Sequence, residues 1–182
     1  MYKTVYLKKG KEESLGRFHP WVFSGAIHHI DGRPEEGDVV RVVNTDGRFL
    51  AVGHIQIGSI AVRVLSFEDI IIGKSFWEER LNAAYNVRKS IFNSQSASSH
   101  QDNTQQTNAF RLVHGEGDGL PGLVIDIYNR TAVMQAHSVG MHVSRRDIAD
   151  ALAKVLDGVV DNIYYKSETT LAYKASEDGG NG

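Results

Sequence analysis

Between Thr4 and Ser66 the sequence delivers short apolar runs at close intervals, each stopped by a turn signal, and few folds accept that pattern. Thr4–Leu7 alternates apolar and polar residues, Asp38–Val43 (DVVRVV) is β-branched, and Phe49–Val52 and Ile60–Ser66 (IAVRVLS) continue the pattern. Branched side chains lose rotamer freedom against the preceding turn of a helix but stand freely on a pleated strand, so these runs read as strands. Asp31-Gly32, Glu36-Gly37-Asp38, Asp46-Gly47 and Ile57-Gly58-Ser59 supply the reversals between them. Several strands packed into one short stretch predict a small closed or half-closed β-barrel over residues 1–74.

A helix is expected next. Ser75 and Glu78 have the S-x-x-E spacing of a capping box, and Trp77, Leu81, Ala84 and Ile91 recur at helical intervals, which predicts a helix over 75–92. Arg88 falls on the same apolar stripe, where it either snorkels to the surface or faces a partner. From Asn93 to Ala109 (NSQSASSHQDNTQQTNA) the chain is almost wholly Ser, Asn, Gln and Thr, too polar to bury a core, and reads as a flexible insert. It is the one plausible domain boundary.

The second half predicts an α+β unit. Phe110–His114 and Leu123–Tyr128 read as strands, and Asn129-Arg130 as a tight hairpin into Thr131–Ser138. Ser144 is placed to cap a helix carrying Ile148, Leu152 and Val155 on one face; Val160–Tyr165 and Thr170–Tyr173 are further strand candidates. Together they give a small, mostly antiparallel sheet with one helix packed on it over residues 75–174. The tail 175–182 (ASEDGGNG) reads as the start of a linker.

Composition removes several chemistries. The chain has no cysteine, so disulfides, thiolate metal sites and cysteine nucleophiles drop out together. No H-E-x-x-H or comparable spacing occurs among the 8 histidines, and no serine sits in G-x-S-x-G. Gly117-Asp118-Gly119-Leu120-Pro121-Gly122 matches G-x-G-x-x-G in letters, but a strand and not a helix follows it. Pro121 removes an amide and Glu116 and Asp118 would repel phosphate, so its glycines are expected to allow a φ-positive connection between strands. A calcium loop starting at His114 fails because its twelfth position is Ile125. The sequence Asn129-Arg130-Thr131 fits a glycosylation sequon but has no secretory signal in front of it. With no apolar run of signal or membrane-spanning length, the chain reads as soluble, cytoplasmic and without a membrane partner.

Charge is distributed unevenly. The 20 Lys+Arg and 22 Asp+Glu give a net charge of −2, which excludes a uniformly basic nucleic-acid binder. Met1–Arg33, however, holds 6 basic against 3 acidic residues, while Phe110–Gly182 holds 7 against 10. The basic segment is interleaved with aromatics: Lys8, Lys9, Lys11, Arg17, His19, Trp21 and Phe23. Lysine and arginine neutralise phosphates, and exposed rings stack unpaired bases. The plain alternative makes Trp21 and Phe23 core residues and the lysines solubilising charges, and spacing alone leaves both readings open.

Two long motifs carry a family resemblance. The run Glu13-Ser14-Leu15-x-Arg17-x-His19-Pro20-Trp21-Val22-Phe23-Ser24-Gly25-Ala26-Ile27 resembles the opening of the PUA domain of large-subunit (23S) ribosomal RNA cytosine-C5 methyltransferases. The second motif is Arg111-Leu112-Val113-x-Gly115-Glu116-x-Asp118-Gly119-Leu120-Pro121-Gly122-Leu123-x-x-Asp126-x-Tyr128, followed by Gln135, Ser138, Gly140 and Met141. It resembles the central "EEHEE" α+β domain of the same enzymes.

The resemblance implies an RNA-recognition and positioning fragment of an S-adenosylmethionine-dependent rRNA methyltransferase. Its PUA-like barrel would grip RNA, and its α+β unit would set the barrel against a C-terminal Rossmann-like catalytic domain absent from the chain. It further implies a parent that uses S-adenosylmethionine and a thiolate nucleophile, while this stretch holds no cofactor, metal or catalytic residue and is inactive alone. The expected RNA contacts are Lys8, Lys9, Arg17, His19 and Trp21, with Arg48 and Arg63 as further candidates. The turn holding Glu116, Asp118, Gly119, Pro121 and Gly122 is expected at the interface with the missing domain. The rival readings are a stand-alone binding module for protein or RNA and a self-sufficient enzyme using histidine and carboxylates. Open strand edges also leave a homodimer possible.

Overall fold

In the computed structural model, which describes residues 2–98, 108–167 and 169–171, the first six strands form one mixed sheet. They are β1 (Lys3–Leu7), β2 (Trp21–Phe23), β3 (Ile27–Asp31), β4 (Val39–Val43), β5 (Phe49–Ile55) and β6 (Ile60–Ser66), in the order β2-β6-β5-β4-β1-β3. The two edge strands, β2 and β3, are joined only by the 3-10 turn Ser24–Ala26, so the sheet has to curl toward closure. The result is the half-barrel expected from the turn spacing. Alternate residues Val5, Leu7, Val40, Val42, Val62 and Val64 point inward with Leu15 of the short helix α1 (Glu13–Gly16) and form one core.

A second core lies between a four-stranded sheet and two helices. The strands β7 (Ala109–His114), β8 (Leu123–Tyr128), β9 (Thr131–Ala136) and β10 (Asn162–Tyr165) are ordered β10-β9-β8-β7, with β10 parallel to β9 and the other pairs antiparallel. Leu123, Ile125 and Ile127 of β8 and Ala132, Met134 and Ala136 of β9 face the helices α2 (Lys74–Ser98) and α4 (Arg145–Val155). Two helices, not one, cover this sheet: α2 contributes Phe76, Trp77, Leu81 and Ala84, and α4 contributes Ile148, Ala151 and Leu152. Among the described residues no helix is long and apolar enough to cross a membrane.

Several local expectations change. The helix α2 starts at Lys74, so Ser75 lies inside it instead of preceding it, and the Glu78 carboxylate accepts from Lys154 at 2.6 Å. At its other end α2 continues to Ser98, into the stretch read as a flexible insert. Gln, Ala and Ser cost a running helix only tenths of a kcal/mol each while every added residue gains a hydrogen bond. The remainder of the insert, 99–107, and the linker 175–182 lie outside the described residues. The strand expected to reach Ser138 ends at Ala136; Ser138 instead caps the helix α3 (Val139–Val143), accepting from the Met141 N–H at 3.4 Å. Ser144 occupies the cap position of α4, yet its hydroxyl lies 3.4 Å from His54 Nε2 and makes no cap bond. Of the expected strand Thr170–Tyr173, Thr170 falls in a turn, its hydroxyl donating to the Ala136 carbonyl, and residues 172–173 lie outside the described residues.

The glycine segment behaves as the sequence requires. A 3-10 turn, Gly115–Asp118, leads through Gly119 (φ 68°) and Gly122 (φ 85°) directly into β8. Asn129 takes φ 53° in the β8–β9 hairpin, the left-handed geometry its short side chain tolerates.

Candidate nucleic-acid interface

The chain leaves β1 at Leu7 through an exposed lysine loop, makes one turn of helix and returns along β2. That helix ends in a Schellman arrangement, with the His19 N–H donating to the Ser14 carbonyl (3.0 Å) and the Phe18 N–H to Leu15 (2.9 Å). The motif puts the residue after the cap in the left-handed region, where glycine is usual; here it is Phe18, at φ 59° and 72 % exposed. A bulky residue at positive φ is strained by about 1–2 kcal/mol. The ring gains only an edge contact with Phe67, at 5.1 Å between centroids.

Around this corner three rings gather. His19 lies 5.7 Å from Trp21, Trp21 6.3 Å from Phe23, and His19 6.1 Å from Phe23, with both Trp21 pairs edge-to-face. His19 Nδ1 accepts from the Trp21 backbone N–H at 3.2 Å, which locks the loop between them. Phe23 is 48 % exposed, whereas Trp21 is half-buried and donates its indole Nε1–H to Glu116 Oε1 at 2.9 Å. The basic members stand on the same loop. Lys8 Nζ donates to the Gly25 carbonyl at 2.9 Å, Lys9 and Lys11 are exposed, and Arg17 is exposed with a loose 3.7 Å pairing to Glu13. A cleft of about 350 Å³ opens on the same segment, lined by Leu7, Lys11, Ser14, Leu15, Val22, Phe23, Gly25 and Ala26.

Of the seven residues expected to meet RNA, the structure brings five to this corner: Lys8, Lys9, Arg17, His19 and Trp21. Arg63 is close but differently engaged. It sits opposite Trp21 on β6, donates to Gln56 Oε1 at 3.0 Å, and burial lowers its pKa against the opposing pull of Glu116. Arg48 is not brought there; it lies in the β4–β5 turn, whereas β5 meets Arg63 at its far end through His54. Lys11 and Phe23 belong to the corner as the basic-aromatic pattern implied. Phe18 was missed, and only its place after a four-residue helix could have signalled it.

The acidic turn has partners within this chain. Glu116 accepts from Trp21, and Asp118 accepts from both terminal nitrogens of the Arg88 guanidinium, at 2.5 and 2.7 Å, together with the His114 N–H at 2.6 Å. Arg88 therefore does not snorkel outward: it caps the glycine turn from α2 and also donates to the Arg111 carbonyl. Pro121 is buried, and Gly122 lies against Ser138. The glycine segment thus runs into a strand and not a helix, and its acids are paired within the chain. Among the described residues no cluster of three or more His, Cys, Asp or Glu could hold a metal ion.

The two units meet through specific contacts. Leu65 of β6 belongs to the second core, and Arg80 of α2 donates to its carbonyl at 3.3 Å. His54 of β5 is 2 % exposed and stacks on Trp77 at 6.2 Å. Burial holds its pKa down at about 4.

Comparison with known proteins agrees with this architecture. Residues 5–67 match a family described as PUA-like domain. Over 175 residues, 96 % of the chain, the sequence is 33 % identical to the ribosomal RNA large subunit methyltransferase I of Vibrio campbellii. It is 35 % identical over 176 residues to the protein of that name from Alteromonas mediterranea. A solved structure, a putative SAM-dependent methyltransferase from Streptococcus mutans, has the same fold over 90 % of this chain and 40 % of its own, with a TM-score of 0.71 at 18 % identity. The chain spans about two fifths, 41 %, of the length of the curated relatives it matches.

Proposed function

We propose that this chain is the RNA-recognition and positioning part of an S-adenosylmethionine-dependent rRNA cytosine-C5 methyltransferase. The barrel, residues 1–74, grips RNA, and the α+β unit, residues 75–174, holds the barrel in a fixed orientation toward a catalytic domain elsewhere in the longer protein. One observation carries the reading: the PUA-like match covers the half-barrel whose exposed corner carries Lys8, Lys9, Arg17 and His19 on the segment that also supplies Lys11 and Phe23 to one cleft. Lysine and arginine there supply counterion-releasing phosphate contacts, and the rings supply stacking. Similarity to rRNA methyltransferases along nearly the whole chain supports rRNA as the ligand and S-adenosylmethionine as the methyl donor of the parent.

Salt titration of binding to an rRNA hairpin tests the reading. Affinity should fall steeply with salt, and the combined Lys8→Ala, Lys9→Ala and Arg17→Ala variant should weaken it and flatten the slope by about one unit per lost phosphate contact. Salt-independent binding, or binding indifferent to those substitutions, would remove the assignment. Calorimetry of this chain with S-adenosylmethionine should show no stoichiometric binding.

A further inference from the structure

We infer that the cleft between the lysine loop and β2 receives one unstacked nucleobase of single-stranded RNA, an inference that rests on the RNA-recognition reading above. Phosphate contacts do not account for the cleft. Its floor is Leu7, Leu15 and Val22, each 3 % exposed or less, and a phosphate placed there would surrender its hydration without compensation. A base has an apolar π-face that such a floor suits, and Phe23, half exposed on the wall, gives it a ring to stack on. The Ser14 hydroxyl in the lining can both donate and accept, which matches the mixed edge of a base.

Size and charge narrow the occupant. At about 350 Å³ the cleft stands at the low end of small-molecule sites, roughly 300–1,000 Å³, enough for a nucleoside and too little for a duplex. No acidic residue lines it, while Lys11 lies in its wall and Lys8 is tethered to the carbonyl of the lining residue Gly25. An apolar side chain from a protein partner would have no use for that basic rim. A nucleotide would place its base on the floor and its phosphates at the lysines. Only an unpaired, unstacked base can leave its strand to do so, so the cleft selects loops and bulges over helices.

Gly25 provides the test. A Cβ built on it meets nothing within 4 Å, so the backbone there accepts the Cβ of Gly25→Leu, which adds an apolar side chain to the lining; Ser14→Trp fills the cleft from another, exposed lining position. The probe is a short single-stranded RNA carrying 2-aminopurine at one position, with thermal melting as a control for folding. The expected result is a change in 2-aminopurine emission on binding to the unaltered chain. Either filling variant should abolish that change and weaken binding about tenfold, with the salt slope unaltered. If the filling variants bind and report as the unaltered chain does while the salt slope persists, the cleft takes no base, although RNA recognition by the basic corner stands. If the unaltered chain shows no salt-dependent RNA affinity at all, the RNA reading itself fails and the inference falls with it. Loss of affinity for an apolar peptide in place of RNA would assign the cleft to a protein partner and overturn the inference.

Discussion

The imidazole of His54 occupies the space in which a side chain on Gly140 would stand, so strand β5 of the half-barrel and helix α3 of the second unit meet with nothing between them. A methyl group on Gly140 would overlap the ring, and the ring has nowhere to go, because Trp77 stacks against it and Ser144 lies 3.4 Å from Nε2. Gly37 repeats the theme from the barrel side, where an added Cβ would press on Val143 and Val139. These contacts join the half-barrel to the unit behind it. Gly140→Ala should therefore destabilise the protein by about 1–3 kcal/mol, the range for overpacking a filled core. Chemical denaturation measures this directly, and a loss below about 0.5 kcal/mol would mean that the two units can separate at small cost.

The same histidine makes the junction acid-sensitive. In the unfolded chain His54 takes a proton near its ordinary 6.5, but in the folded protein burial holds that event down to about 4. The folded state thus refuses a proton that the unfolded state accepts, and stability falls as pH drops from about 6.5 to about 4. The displacement corresponds to roughly 3 kcal/mol across that window. Unfolding free energies measured at pH 7 and pH 5 should differ by most of this amount, and the difference should shrink in His54→Phe. A wild-type profile flat between those two values would show that the imidazole finds water when protonated.

Arg88 and Asp118 form the least solvated ion pair among the described residues, with side chains 18 % and 9 % exposed. The pair is bidentate and carries the glycine turn on α2, so removing one partner strands a charge in a poorly hydrated place. Arg88→Met should cost about 2–4 kcal/mol, and adding Asp118→Asn should recover part of it. Unfolding of the single and double variants, completed as a double-mutant cycle, gives the coupling; additive losses would show that the two side chains act independently.

How much of this was legible follows from what each signal measures. Periodicity reports one-sided burial, so Ile60–Ser66 and Leu123–Tyr128 were bounded as observed. The edge strands β2 and β3 were invisible as strands, because Trp21–Phe23 is only three residues long and Ile27–Asp31 exposes most of its side chains. Ile91 sat on the apolar stripe of α2 but is 48 % exposed, since the core it would join ends near Ala84. Arg88 broke that stripe for a reason no spacing could reveal: its partner is thirty positions on, in a turn that composition marked only as glycine-rich. Charge clustering found the basic corner. It could not tell Arg48 from Lys8, because membership of a corner is decided by strand order.

Phe18 supplies the sharpest test of whether that corner is a binding surface. Its backbone, at φ 59°, asks for glycine, and the residue is 72 % exposed, so folding gains little from either. On stability alone Phe18→Gly relieves about 1 kcal/mol of left-handed strain and loses only the edge contact with Phe67. The variant should therefore melt no lower than the unaltered protein, and by denaturation it should gain up to about 1 kcal/mol. An exposed aromatic is worth keeping in a strained position where it stacks on a ligand, and base–aromatic stacking is worth about 1–3 kcal/mol. Affinity for a single-stranded rRNA loop should accordingly fall about fivefold or more in Phe18→Gly and return in Phe18→Tyr. A variant that gains stability and loses affinity places Phe18 at the RNA surface. One that loses stability and keeps affinity shows that the ring serves the fold through Phe67, and it removes this residue from the interface.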